Sequence, residues 1–201
     1  MRDIRRTRQR KVEVLKAALD RVIPPKFENA QFRHLAKPLR SRLLRLPRDR
    51  GLLMFGPPGV GKSYGMCALA RWYILNSYSV IRVLYERLCL DVRQTYSGVG
   101  KSELDIIKPL IDADVLFIED IGTTTSIGSP ESDFSLRTLL LILDTRLEHC
   151  RPTFITSNKS VEQLAKSFDE RVASRLHEHC EIVQLKGEDK RKQKRTMSSG
   201  E

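Results

Sequence analysis

Gly56-Pro57-Pro58-Gly59-Val60-Gly61-Lys62-Ser63 follows directly on the apolar run Leu52-Leu53-Met54-Phe55 and leads into a stretch of helical character. The octet satisfies GxxxxGK[ST] in full, in the strand, loop, helix order in which that spacing binds phosphate. Its glycines permit backbone angles closed to residues with a Cβ, so successive N–H groups turn inward around the β- and γ-phosphates. Lys62 adds a cation and Ser63 a hydroxyl for Mg²⁺. The helix that starts there directs the positive end of its dipole at the anion. These eight residues, with Tyr64 after them, form the predicted cofactor site, and ATP with Mg²⁺ is the expected ligand.

Outward from the loop the chain alternates. Short apolar runs near 51–55, 80–85, 114–119, 152–157 and 181–185 read as five strands. Between them lie helical stretches at 62–76, 86–97, 102–111, 131–149, 160–168 and 170–179. Strand-helix alternation implies right-handed crossovers and a mainly parallel sheet covered on both faces, an α/β fold. Upstream, Val12, Leu15, Leu19, Val22 and Ile23 recur at helical spacing until Pro24-Pro25 stops them. The stretch Gly122 to Pro130, rich in Gly, Ser and Thr, is expected to be a mobile loop within the core. The organisation expected is a basic extension over 1–50, an ATPase core over 51–185 and a basic, flexible tail over 186–201.

The 201 residues, 40% hydrophobic, suffice for one sizeable core. No run approaches the roughly 20 apolar residues that cross a bilayer, and the arginine-rich start has no apolar segment behind it. Cys67, Cys89, Cys150 and Cys180 lack paired spacing and read as thiols. A soluble, cytoplasmic protein is expected. The net charge of +11 is unevenly placed: residues 1–50 hold 16 Lys/Arg against 5 Asp/Glu, and the remainder 20 against 20. The tail also carries Lys186, Lys190, Arg191, Lys192, Lys194 and Arg195, so both ends are basic around a near-neutral middle. That pattern suits a polyanion held by arms, through phosphate neutralisation and counterion release.

Three further strand or helix ends carry chemistry. Val115-Leu116-Phe117-Ile118-Glu119-Asp120 is an apolar strand ending in two carboxylates at the ligand edge of an open parallel sheet. It has the character of a Walker B element, in which one carboxylate holds Mg²⁺ and its neighbour polarises the attacking water. The Glu-first order is unusual. Phe154-Ile155-Thr156-Ser157-Asn158 ends in polar residues, and Asn158 suits a hydrogen bond to the γ-phosphate or lytic water. Arg171 and Arg175 lie four apart on one helix face, which suits either a neighbouring subunit's γ-phosphate or pairing with Asp169 and Glu178.

Together, GPPGVGKS, VLFIEDIG, PTFITSNKS and DERVASRL followed by EIVQLKGEDKR resemble the helicase-loader and transposition-helper ATPases, DnaC and IstB, of the AAA+ class. The resemblance spans most of the chain, from about Ile23 to Lys190. It implies a RecA-like αβα core with strand order 5-1-4-3-2 and ATP-dependent action on DNA as a homo-oligomer, in helicase loading or in help to a transposase. By position Arg175 is similar to the family's arginine finger, with Arg171 second. The resemblance also places single-strand DNA contacts at Arg87, Arg93, Tyr96 and Lys101, then at Phe134 and Arg137, Tyr96 being the first choice. Two features depart from the pattern. Only about fifty residues precede the loop, where loaders of the DnaC type carry a substantial helicase-gripping domain. The chain also ends soon after its fifth strand, with no helical lid and no second-sensor arginine.

His149-Cys150 and His177-Glu178-His179-Cys180 fall just before two strands. Buried cysteine and helix-capping histidine explain them better than zinc. A small-molecule kinase would use the same phosphate loop, but it requires an arginine-rich lid that 122–130 does not offer.

Overall fold

The computed structural model describes residues 2–98, 100–123 and 133–190. Five parallel strands, β1 (Gly51–Phe55), β2 (Val80–Leu84), β3 (Val115–Ile121), β4 (Thr153–Ser157) and β5 (Cys180–Gln184), form one sheet in the order β2-β3-β4-β1-β5. This is the predicted order read from the opposite edge. The helices are α1 (Arg2–Val22), α2 (Lys37–Arg45), α3 (Lys62–Leu75), α4 (Tyr85–Gln94), α5 (Glu103–Asp112), α6 (Asp133–Glu148), α7 (Val161–Ser167) and α8 (Glu170–His179).

Both faces of the sheet are apolar, which is why the strands read as continuous hydrophobic runs rather than alternating ones. The pleat divides each run. Leu52, Met54, Phe117 and Phe154 point to one face, where α3 packs, and Leu53, Leu116, Ile118 and Ile155 point to the other, with α4 to α8. Phe117 and Phe154, on adjacent strands, stack with centroids 4.9 Å apart.

Helix α3 is buried nearly all round because a second layer covers it. Val22, Ile23, Ala30, Leu35 and Leu43 join the cluster built on Leu52, Met54 and Phe117. Arg71 of α3 donates through Nε to the Ala30 carbonyl at 3.0 Å. Helix α1 begins ten residues earlier than the apolar period suggests, since the stretch before Val12 has almost no apolar residue to mark it. The loop expected at 122–130 lies largely outside the described residues, which resume in α6.

At the edge of the sheet opposite the phosphate loop, His179 is buried and accepts a hydrogen bond at Nε2 from the Thr153 amide, 3.1 Å away. Its Nδ1 has no hydrogen-bond partner among the described residues. Burial, with the charges of Arg146 and Arg50, pulls its pKa from 6.5 down to about 4. The folded state therefore holds neutral imidazole while the unfolded chain takes up a proton below pH 6.5. Stability is full above that value and falls as the pH drops from about 6.5 to about 4, by about 3 kcal/mol in all. Urea denaturation at pH 7.5 and 4.5 should show this loss, and His179→Gln, which keeps an acceptor for Thr153 without a titrating group, should show much less of it.

Candidate nucleotide site

The phosphate loop joins β1 to α3. Gly61 takes the position before the first helical turn with φ +107°, an angle that would strain any side chain but lets the loop turn directly into α3. Pro57 and Pro58 are exposed, Val60 is buried, and Ser63 lies partly exposed in the first turn. Lys62 is only 6% exposed, and its Nζ donates to the carbonyls of Gly56 (2.7 Å) and Pro57 (2.9 Å) and to Asn158 Oδ1 (2.7 Å). The end of β4 is thereby tied to the loop. Gly56 N–H donates to the Ser157 carbonyl at 3.3 Å and extends the same β1–β4 seam. Tyr64 faces the N-terminal layer: its hydroxyl donates to the Asn29 carbonyl at 3.1 Å and lies 2.9 Å from His34 Nδ1.

The two carboxylates of β3 have different partners. Glu119 is 2% exposed and accepts from Arg82 Nε of β2 at 2.7 Å. Burial pulls the Arg82 pKa down, but the hydrogen bond and charge of Glu119 outweigh it and leave it above its usual value. Burial, reinforced by Glu119, also pushes the Cys67 thiol of α3 up to about 12, so it stays protonated. Asp120 sits at φ +59°, where the β3–β4 register breaks between Ile118 and Ile121. Thr156 Oγ1 lies 3.5 Å from Asp120 Oδ1, and the Asp120 charge also acts on Arg82. The Asp120 N–H donates to Thr156 Oγ1 at 2.9 Å, which anchors this bulge to β4. A left-handed non-glycine residue held by a neighbouring strand is the kind of strain that packing must maintain.

Arg82 and Thr156 belong to none of the recognised functional positions of the motifs. A lone cation within Val80-Ile81-Arg82-Val83-Leu84 is the signal that finds the first, since a charge within an otherwise apolar strand demands a partner. Removing that partner should be costly: Arg82→Met leaves Glu119 buried and unpaired, for an expected loss of about 3 kcal/mol. The double variant Arg82→Met/Glu119→Gln should regain most of it, as a denaturation double-mutant cycle would show.

Arg171 and Arg175 have carboxylate partners in α8 and α6. Arg171 meets Asp169 (Nε 3.1 Å) at the helix start, and Arg175 bonds Asp144 of α6 through Nε and Glu178 through Nη1 (3.2 Å). Of the residues expected to meet DNA, Arg87 pairs with Asp91 along α4, Arg93 and Lys101 are exposed, and Tyr96 is 64% exposed in the turn after α4. Arg137 is exposed on α6; Phe134 belongs to that helix, but its side chain lies outside the described residues. Among the described residues no three His, Cys, Asp or Glu side chains converge as a metal cluster, and no helix is long and apolar enough to cross a membrane.

A parallel sheet in this order, with a phosphate loop after β1 and an acidic end on β3, defines a P-loop protein of the AAA+ class. A family model described as "IstB-like ATP binding protein" matches residues 4–198, and the chain belongs to that family. It is 29% identical over 121 residues to the replicative helicase loader DnaC of Escherichia coli K12, covering 60% of this chain and 47% of that protein. It is 27% identical over 144 residues to the phage-like element PBSX protein XkdC of Bacillus subtilis, 70% of this chain and 52% of that one. The chain thus spans about half the length of the curated relatives it matches. In fold it superposes on a crystal structure of the DnaC helicase loader with TM-score 0.66 at 20% identity, over 81% of this chain and 99% of that one. AMPPCP-bound DnaA from Aquifex aeolicus gives 0.68 at 13% identity, over 88% and 55%.

Proposed function

We infer that this chain is a DNA-associated ATPase that binds and hydrolyses ATP as a homo-oligomer to assemble on and remodel protein–DNA complexes, as a helicase loader of the DnaC type. The observation that carries the reading is the Lys62–Asn158 hydrogen bond, which joins a phosphate-binding cation to a polar strand end beside the acidic end of β3. The loop backbone and Lys62 hold the phosphates. Ser63 and Glu119 hold Mg²⁺, which when bound offsets phosphate charge. Asp120 orients the attacking water, Asn158 senses the γ-phosphate, and Arg175, with Arg171 behind it, reaches the next protomer's nucleotide. Exposed Tyr96 offers a stacking face, with Arg87, Arg93 and Lys101 near it in sequence to meet the phosphates of a single strand. The curated relatives named DnaC support helicase loading, and the family description supports the alternative of help to a transposase.

A second reading has its own support. The Arg82–Glu119 ion pair occupies the carboxylate assigned to the metal, which favours an ATP-dependent scaffold that assembles on DNA without turning over. ATP turnover measured with and without single-stranded DNA, at concentrations that assemble the oligomer, separates the two. Hydrolysis stimulated by DNA is expected; no turnover in any assembled state would leave only the scaffold. Capture of a replicative helicase rather than a transposase by the full chain is the expected outcome for the partner.

A further inference from the structure

The chain does not leave the site when β5 ends. Leu185 N–H donates to the Phe55 carbonyl at 2.7 Å, prolonging the β5–β1 pairing to the edge of the phosphate loop, where a Cβ on Gly56 would meet the Leu185 carbonyl oxygen at 2.1 Å. At Gly187 the backbone turns through φ +138°, and a Cβ there would meet nothing within 4 Å among the described residues. The chain then comes back onto the loop. Lys190 N–H donates to the Gly59 carbonyl at 3.2 Å. The Asp189 carboxylate lies so close that a Cβ on Gly59 would meet its Oδ1 at 1.8 Å and its Cγ at 2.2 Å. The Lys190 ammonium sits 3.6 Å from where a Cβ of Gly61 would be. Residues 185–190 thus touch the loop at its first glycine, its middle and its last.

A glycine at position 59 permits this approach, and the group that lies against it is a carboxylate, with the Lys190 ammonium farther along at Gly61. The loop N–H groups, Lys62 and the start of the 14-residue α3 make this the most anion-seeking backbone in the chain. A carboxylate docked here and a triphosphate arriving here draw on the same positive potential and repel each other.

We propose that residues 186–190 form a strap that competes with a nucleoside triphosphate for the phosphate loop, with Asp189 setting the competition and Gly187 serving as its hinge. The inference rests on the nucleotide reading above and adds regulation to that site. Binding of the triphosphate displaces the strap, and a docked strap weakens binding. Because the opposition is electrostatic, it acts more strongly on free ATP than on MgATP, which carries two fewer negative charges.

Fluorescence titration of the full chain with mant-ATP, in Mg²⁺ and in EDTA, tests this. Asp189→Asn keeps the shape of the side chain and removes only its charge, and the Lys190–Gly59 bond is backbone. The variant should bind at least about threefold more tightly, with the larger gain in EDTA. In the wild type, amide hydrogen exchange across 187–190 should accelerate when ATP is added, as the Lys190 N–H loses the Gly59 carbonyl. Equal or weaker binding by Asp189→Asn, or stronger protection of 187–190 with ATP, overturns the strap and leaves the nucleotide reading standing. A wild-type chain that binds no mant-ATP overturns both, and Lys62→Ala supplies the baseline for that comparison.

Discussion

Arg146→Met should destabilise the protein by about 3–5 kcal/mol, because it strips donors from backbone acceptors most of which are buried. Arg146 is fully buried in α6, and its five N–H groups reach six acceptors. Nε donates to Thr153 Oγ1; Nη1 donates to the carbonyls of Leu110, Ile111 and Ala113, and Nη2 to those of Asp114 and Pro152. One side chain thereby closes the C-terminal end of α5 and the lead-ins to β3 and β4. Burial lowers its pKa to about 10, so it remains charged at neutral pH, solvated by carbonyl dipoles instead of water. Replacing a buried ion by an apolar residue is sometimes neutral, since the cost of burying the charge goes with it. Here the orphaned partners are main-chain groups that cannot be substituted away, and their loss dominates. Arg146→Lys separates charge from geometry: it keeps the cation but offers only three donors, and should recover no more than about half of the loss. Urea denaturation of the three proteins gives the comparison, and a methionine variant as stable as wild type would refute it.

The second large effect concerns activity. Lys62→Ala should abolish ATP binding, because it removes the buried cation that the loop carbonyls and Asn158 hold in place. Arg175→Ala should leave ATP binding nearly intact and lower turnover by about 10³-fold, the lower end of what an arginine supplied in trans contributes. Its own partners, Asp144 and Glu178, are partly exposed side chains, so the fold should survive the change. Equal loss of ATP binding in the two variants would contradict a trans-acting arginine. Mixing the two inactive proteins adds a sharper measurement. A protomer with Lys62 intact can receive Arg175 from its Lys62→Ala neighbour, so turnover should partly return, whereas two residues serving one protomer in cis would give none.

The strand and helix order was legible because the central strands β1, β3 and β4 are buried on both faces. Such strands appear as short uninterrupted apolar runs, and helices separate them at regular intervals. The family, too, was legible, since its motifs are local. Less visible was whatever depends on a partner distant in sequence. Tyr96 could be read as a packing residue or an exposed one, and only the described turn after α4 shows it exposed. His179 reads as a helix cap near a cysteine, yet its acceptor role to Thr153, 26 residues back along the chain, depends on β4 and β5 both flanking β1. Arg146 carries no motif at all.

By itself, then, the sequence determined the five-stranded parallel architecture, the phosphate loop and the ATP-binding family, because glycine freedom, apolar runs and charged strand ends are properties of neighbouring residues. Tertiary structure alone decided how those parts meet: Lys62 on Asn158, Glu119 against Arg82, and the chain after β5 folded back over Gly59. Each is a contact between charges or dipoles on different strands. Their energy depends on separation and burial, which spacing along the chain does not encode.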